Sequence, residues 1–134
     1  YEVMQELGVM DLAGRRFGHM STGEQRRFLL GRALVHDPPV LVFDEPTSGL
    51  DPKACFQYLD LLRRQISKGK TLLLVTHHLH EIPPEIDRVI FLKEGRILAD
   101  GPKSTRLTSE QVSRLFDSRI SLVHANGWYQ ALPG

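Results

Sequence analysis

The sequence predicts an α/β fold, and three observations carry that prediction. Two continuous apolar runs, VLVF at 40–43 and TLLLVT at 71–76, have the length of strands. Each run leads into ionisable residues, Asp44-Glu45 after the first and His77 after the second. Between them, Cys55, Leu59, Leu62 and Ile66 recur at helical spacing. Strand, helix and strand, with both strands apolar throughout, describe a right-handed parallel crossover whose strands are buried on both faces.

The remaining elements follow in chain order. Residues 1–8 read as a short helix closed by Gly8. Ser21 followed by Glu24 is a capping box that opens a second helix, which Asp37-Pro38-Pro39 stops. Leu29, Leu30, Ala33 and Leu34 give that helix its expected buried stripe. PTSGLDP at 46–52 supplies the turn before the central helix, which ends at Gly69. Residues 88–99 read as a strand and its return about Glu94-Gly95, and Thr108 with Gln111 caps a short helix. Asn126-Gly127 then marks a closing hairpin in which Trp128 and Tyr129 serve packing.

Composition narrows the functional classes. A 134-residue chain that is 41% apolar can bury one modest core. With 17 basic against 16 acidic residues, the net charge of +1 gives no electrostatic basis for a nucleic-acid surface, and Arg15-Arg16 and Arg26-Arg27 read as solvated faces. Cys55 is the lone cysteine, so an internal disulfide is excluded. No apolar run approaches the roughly 18 residues that cross a bilayer, so a membrane connection is expected through a partner.

In an open parallel sheet, ligands bind beyond the carboxyl ends of the strands, where Asp44, Glu45 and His77 stand. Adjacent acids on a strand point to opposite sides, which suits one to a metal and the other to a water. The helix opened by Ser21, with Gly23 in its first turn, offers backbone N–H donors and partial positive charge to an anion.

Taken together, these segments resemble the ATP-binding-cassette ATPases. MSTGEQ at 20–25 is similar to the signature motif, VLVFDE at 40–45 to the Walker B strand, SGLD at 48–51 to the D-loop, and Thr76-His77 to the switch histidine. The motifs stand in the family's order over residues 1 to about 103. The resemblance implies a partial P-loop NTPase-like parallel sheet with part of the helical subdomain at 1–38, the Walker B to switch portion of the nucleotide core at 39–103, and a C-terminal helix-hairpin appendage at 104–134.

It also implies roles. Asp44 would support Mg²⁺ and Glu45 would polarise the attacking water. His77 would contact the γ-phosphate, and Asp51 would lie at a dimer interface. Ser21, Thr22, Gly23, Glu24 and Gln25 would form the clamp over ATP held by a second cassette subunit. The implied protein is the ATP-binding and hydrolysing subunit of a transporter, cytoplasmic and peripheral on the inner face of the membrane, with a transmembrane permease partner and no nucleic acid. A soluble non-transport ATPase and a non-catalytic binding module are the alternatives.

Thr22 replaces the family's usual second glycine, and His78 replaces a common aspartate. No G-x-x-x-x-G-K-S/T motif and no glutamine loop occur in the 134 residues, so the chain by itself is expected to hydrolyse no ATP. In the resembled fold the phosphate-loop strand lies between the strands matching 71–76 and 88–92. Its loss would leave a slot with two exposed apolar strand edges, and that slot is expected to be closed by rearrangement, filled by another chain, or left by a chain that is part of a larger molecule.

Overall fold

The computed structural model describes residues 1–134, which form two compact units, Tyr1–His77 and His78–Gly134. No helix is long and apolar enough to cross a membrane.

The first unit is built around three helices and one parallel strand pair. Helix α1 spans Glu2–Glu6 and is followed by Gly8 at φ +63°, a left-handed conformation that glycine adopts without steric cost. Helix α2 spans Thr22–Leu34, strand β1 Val40–Asp44, helix α3 Pro52–Ser67 and strand β2 Thr71–Val75. Asp51 N-caps α3 by accepting from the Ala54 N–H at 2.8 Å, and Pro52 occupies the first helical position, where its missing N–H costs nothing. Leu7, Leu12, Leu30, Leu59 and Leu62 fill the core. The Glu6 carboxylate ties α1 to the end of α3, accepting from Gln65 at 2.7 Å and Lys68 at 2.6 Å.

Strands β1 and β2 pair in parallel, with Val40 opposite Thr71 and Asp44 opposite Val75. The expectation that both strands are buried on two faces is corrected here. Leu41 is buried and Phe43 meets Tyr58 of α3 edge-on, but Val40, Val42, Leu73 and Val75 are each about half exposed or more. A two-stranded sheet covered by one helix has a second face with nothing of this unit against it. The helix stripes also shift: in α2 only Leu30 and Leu34 are buried, while in α3 Tyr58, Leu61 and Gln65 join Cys55, Leu59 and Leu62.

The second unit begins with a 3₁₀ turn at Leu79–Glu81 and continues through two hairpins. Strands β3 (Arg88–Lys93) and β4 (Arg96–Pro102) pair antiparallel around Glu94 and Gly95, both at positive φ as a type I′ turn requires. The short helix α4 spans Lys103–Arg106, and α5 spans Ser109–Phe116 behind its Thr108 cap. Strands β5 (Ile120–Ala125) and β6 (Trp128–Pro133) close on Asn126-Gly127, also at positive φ. Leu79, Ile82, Phe91, Leu107, Val112 and Tyr129 make this unit's core. The six strands form three separate two-stranded sheets, each within one unit.

Candidate functional site

The parallel register of β1 and β2 brings two sequence-distant segments to the same end of the sheet. Asp44 stands beside Val75, so the residues that follow each strand, Glu45 and Thr76-His77, emerge together. The Glu45 N–H extends the ladder by donating to Val75 O at 2.8 Å. Its carboxylate then accepts from the His77 backbone N–H at 3.0 Å, approaches His77 Nδ1 at 2.5 Å, and lies 3.4 Å from the Thr76 hydroxyl. Asp44, the last residue of β1, is exposed.

Glu45 has φ +46°, a conformation uncommon for a side-chain-bearing residue and costing on the order of 1–3 kcal/mol. Glycine would remove the strain and the carboxylate with it. Strain retained at an ionisable residue beside a histidine points to a working site.

The loop after Glu45 turns back through Ser48 N–H to Glu45 O and Leu50 N–H to Thr47 O. Thr47 is 3% exposed, and its hydroxyl has no hydrogen-bond partner. Arg26 of α2 reaches the Ser48 carbonyl at 3.5 Å. Nothing in the local sequence signals the contact, because it joins residues 22 positions apart.

The start of α2 carries the capping box its sequence specifies. The Ser21 N–H donates to Glu24 Oε2 at 2.7 Å and the Glu24 N–H to Ser21 Oγ at 3.3 Å. The Ser21 N–H, aided by the Ser21 hydroxyl and Arg15, holds the Glu24 carboxyl below the usual carboxylate range. The Gln25 side chain reaches back past the helix start and donates to Phe17 O and Met20 O, fixing the preceding loop. At Gly23, a Cβ would sit 3.4 Å from the Ala54 Cβ, so the close packing of α2 on α3 is a second reason for a small residue there. The Thr22 and Gly23 amides head the helix, where no intrahelical acceptor exists for them.

Within the first unit the chain thus presents two distinct groups. One is the Glu45 carboxylate with the His77 imidazole, next in sequence to Asp44 at the end of β1. The other is a helix N-terminus with open amides. Carboxylate oxygens suit Mg²⁺, and helix-start amides suit phosphate, so both fit a nucleotide with its metal. Asp51 is engaged as the cap of α3.

Comparison with known proteins agrees with these features. The profile of the family described as ABC transporter matches residues 1–48. Among curated proteins, the chain is 36% identical over 133 residues to the uncharacterized ABC transporter ATP-binding protein YlmA of Bacillus subtilis (strain 168), covering 98% of this chain and 49% of that protein. It is 44% identical over 98 residues to Nod factor export ATP-binding protein I of Burkholderia orbicola (strain AU 1054), covering 73% of this chain and 32% of that one. Among solved structures, MJ1267, an ATP-binding cassette of an ABC transporter in its ADP conformation, superposes with a TM-score of 0.77 at 26% identity, over 87% of this chain and 48% of its own. The fold also matches an ABC transporter in an inward-facing conformation, with a TM-score of 0.86 at 24% identity over 98% of this chain and 55% of that one. The chain spans about half the length, or less, of the curated relatives it matches.

Proposed function

From the premise that this chain belongs to the ATP-binding-cassette family, we propose that it serves in the ATP-binding and ATP-hydrolysing subunit of a transporter. The observation that carries the proposal is the joining of Glu45, at positive φ just past the end of β1, to His77. In this reading residues 1–38 belong to the helical subdomain, 39–103 to the nucleotide core, and 104–134 to an appendage.

Glu45 holds the attacking water and accepts its proton, and the His77 imidazole orients toward the γ-phosphate. Asp44 holds Mg²⁺, which supplies charge neutralisation on the phosphates when bound. Ser21, Thr22, Gly23 and Gln25 form the clamp, with Glu24 completing the cap that keeps the first-turn amides aimed outward. That clamp closes on nucleotide held by a second cassette subunit, with Asp51 at the interface between them. Coupling to a transmembrane permease then places the protein on the cytoplasmic face of the membrane, where closure and opening of the pair move the partner.

Turnover of Mg-ATP by the full-length protein tests the reading directly. Turnover that Glu45→Gln suppresses supports it; no turnover with the permease present overturns it.

A further inference from the structure

We propose that the loop leading into α2 holds a further anion site, in which Arg15, Arg16 and His19 bind a phosphate monoester. The site uses none of the residues assigned to nucleotide above, and its test does not depend on ATP turnover.

Charge is unevenly spread along the first unit. Between residues 14 and 36 stand Arg15, Arg16, Arg26, Arg27 and Arg32, against the single acid Glu24. The first two of these arginines line a depression of about 450 Å³ together with Gly14 and His19. That volume is in the range of small-molecule sites. The side chains of Arg16 and His19 have no hydrogen bond or ion pair within the chain. Arg15 has one partner, Glu24 at 3.8 Å, in an exposed pair that contributes little and yields to a stronger anion. The Glu24 carboxylate is itself engaged by the Ser21 N–H at 2.7 Å.

The backbone that carries these groups is fixed from both sides. Leu12 and Met20 are buried before and after it. The Arg15 N–H donates to Leu12 O at 2.9 Å, and the His19 N–H to Arg16 O at 2.9 Å within the 3₁₀ turn Phe17–His19. The Gln25 side chain holds the carbonyls of Phe17 and Met20 at 3.1 and 3.2 Å, and Phe17 packs on Phe28 with ring centres 6.2 Å apart. A loop already held in place spares most of the ordering cost of binding.

Gly14 is a separate indication. Its φ lies outside the left-handed region, and a Cβ there would meet nothing within 4 Å. Neither turn geometry nor packing calls for glycine at this position, and its effect is to leave bare backbone in the wall of the depression.

The lining selects the ligand. A phosphate monoester carries close to two negative charges at neutral pH. Two guanidinium forks match its charge and its oxygens with paired N–H bonds, and the imidazole adds a third donor. A carboxylate, with one charge and two oxygens, would leave one arginine unmatched. The depression exceeds the size of a phosphate ion, so an organic portion fits beside it. Such a monoester belongs either to a free small molecule or to a lipid headgroup.

The test uses the full-length protein, glycerol 3-phosphate as the soluble probe, and phosphatidylcholine vesicles with or without phosphatidic acid. Calorimetry and imidazole NMR follow the soluble probe, and co-sedimentation follows the vesicles. For a free ligand, glycerol 3-phosphate is expected to shift the His19 ring resonance and leave that of His77 in place. The double variant Arg15→Gln, Arg16→Gln should weaken this binding at least tenfold. Gly14→Leu, which keeps every charge but fills the depression, should weaken it comparably. For a headgroup, vesicles containing phosphatidic acid should sediment the protein where pure phosphatidylcholine does not, and both variants should abolish the difference. Either pattern supports the site and names its source. Binding of neither probe, or binding equal in the unaltered protein and the double variant, would overturn it. So would a shift at His77 without one at His19, since the phosphate would then occupy the nucleotide site.

Discussion

One oxygen of the Glu45 carboxylate meets both the backbone N–H of His77, at 3.0 Å, and its ring Nδ1, at 2.5 Å. The acid at the end of one strand therefore fixes both the chain and the imidazole at the end of its neighbour. Glu45→Gln keeps the shape and removes the base. In the full-length protein it is expected to lower ATP turnover by about 10²-fold or more, as loss of a positioned base does, with nucleotide affinity measured by calorimetry nearly unchanged. Undiminished turnover would reject the assigned role.

His77→Ala removes the ring but leaves the backbone donor to Glu45. Its expected signature is a fall in kcat with ATP binding retained, read by single-turnover kinetics against equilibrium binding. A rise in KM alone would assign His77 to ground-state binding.

Ser21 serves the helix and the clamp, and two substitutions separate the roles. Ser21→Ala loses the acceptor for the Glu24 N–H and should cost about 1 kcal/mol in chemical denaturation. Ser21→Arg adds bulk at the clamp and should abolish ATP-dependent dimerisation, measured by light scattering with Mg-ATP. Dimerisation at the unaltered level would remove Ser21 from the interface.

The Glu6 contact predicts a pH dependence. The hydrogen bond from Lys68, reinforced by Gln65, holds the Glu6 carboxyl below its ordinary value of 4.5. The folded state thus binds that proton more weakly than the unfolded chain does. The contribution is fully present above the ordinary value and is lost as pH falls through the lower folded one. Lys68 is half exposed, so solvent screening limits the contribution to no more than about 1 kcal/mol. Urea midpoints of the unaltered chain should fall more steeply on acidification than those of Glu6→Gln; parallel curves would dismiss the contact.

Core packing gives a contrast within one unit. Leu62 is fully buried, and Leu62→Ala should destabilise by about 2–5 kcal/mol. Val40 is 52% exposed, and Val40→Thr in this chain should change stability by no more than about 0.5 kcal/mol. Equal losses at the two positions would mean that the outer face of β1 is covered after all.

The sequence by itself determined whatever depends on neighbours along the chain. The Ser21 and Glu24 capping box, the Thr108 cap, and the turns at Glu94-Gly95 and Asn126-Gly127 were all legible, because each is set by a few adjacent residues. The strand ends were legible too, since apolar runs stop where ionisable residues begin. Tertiary structure alone decided which ends meet. The register that seats Glu45 against His77, the reach of Arg26 to Ser48 and the grip of Lys103 on Pro83 and Pro84 join residues 19 to 32 positions apart. It also decided exposure. VLVF and TLLLVT are apolar on both faces, but burial depends on what packs against a strand, and here α3 covers only one side. Local rules act through backbone geometry over a single turn, whereas register and burial are set by the packing of whole elements.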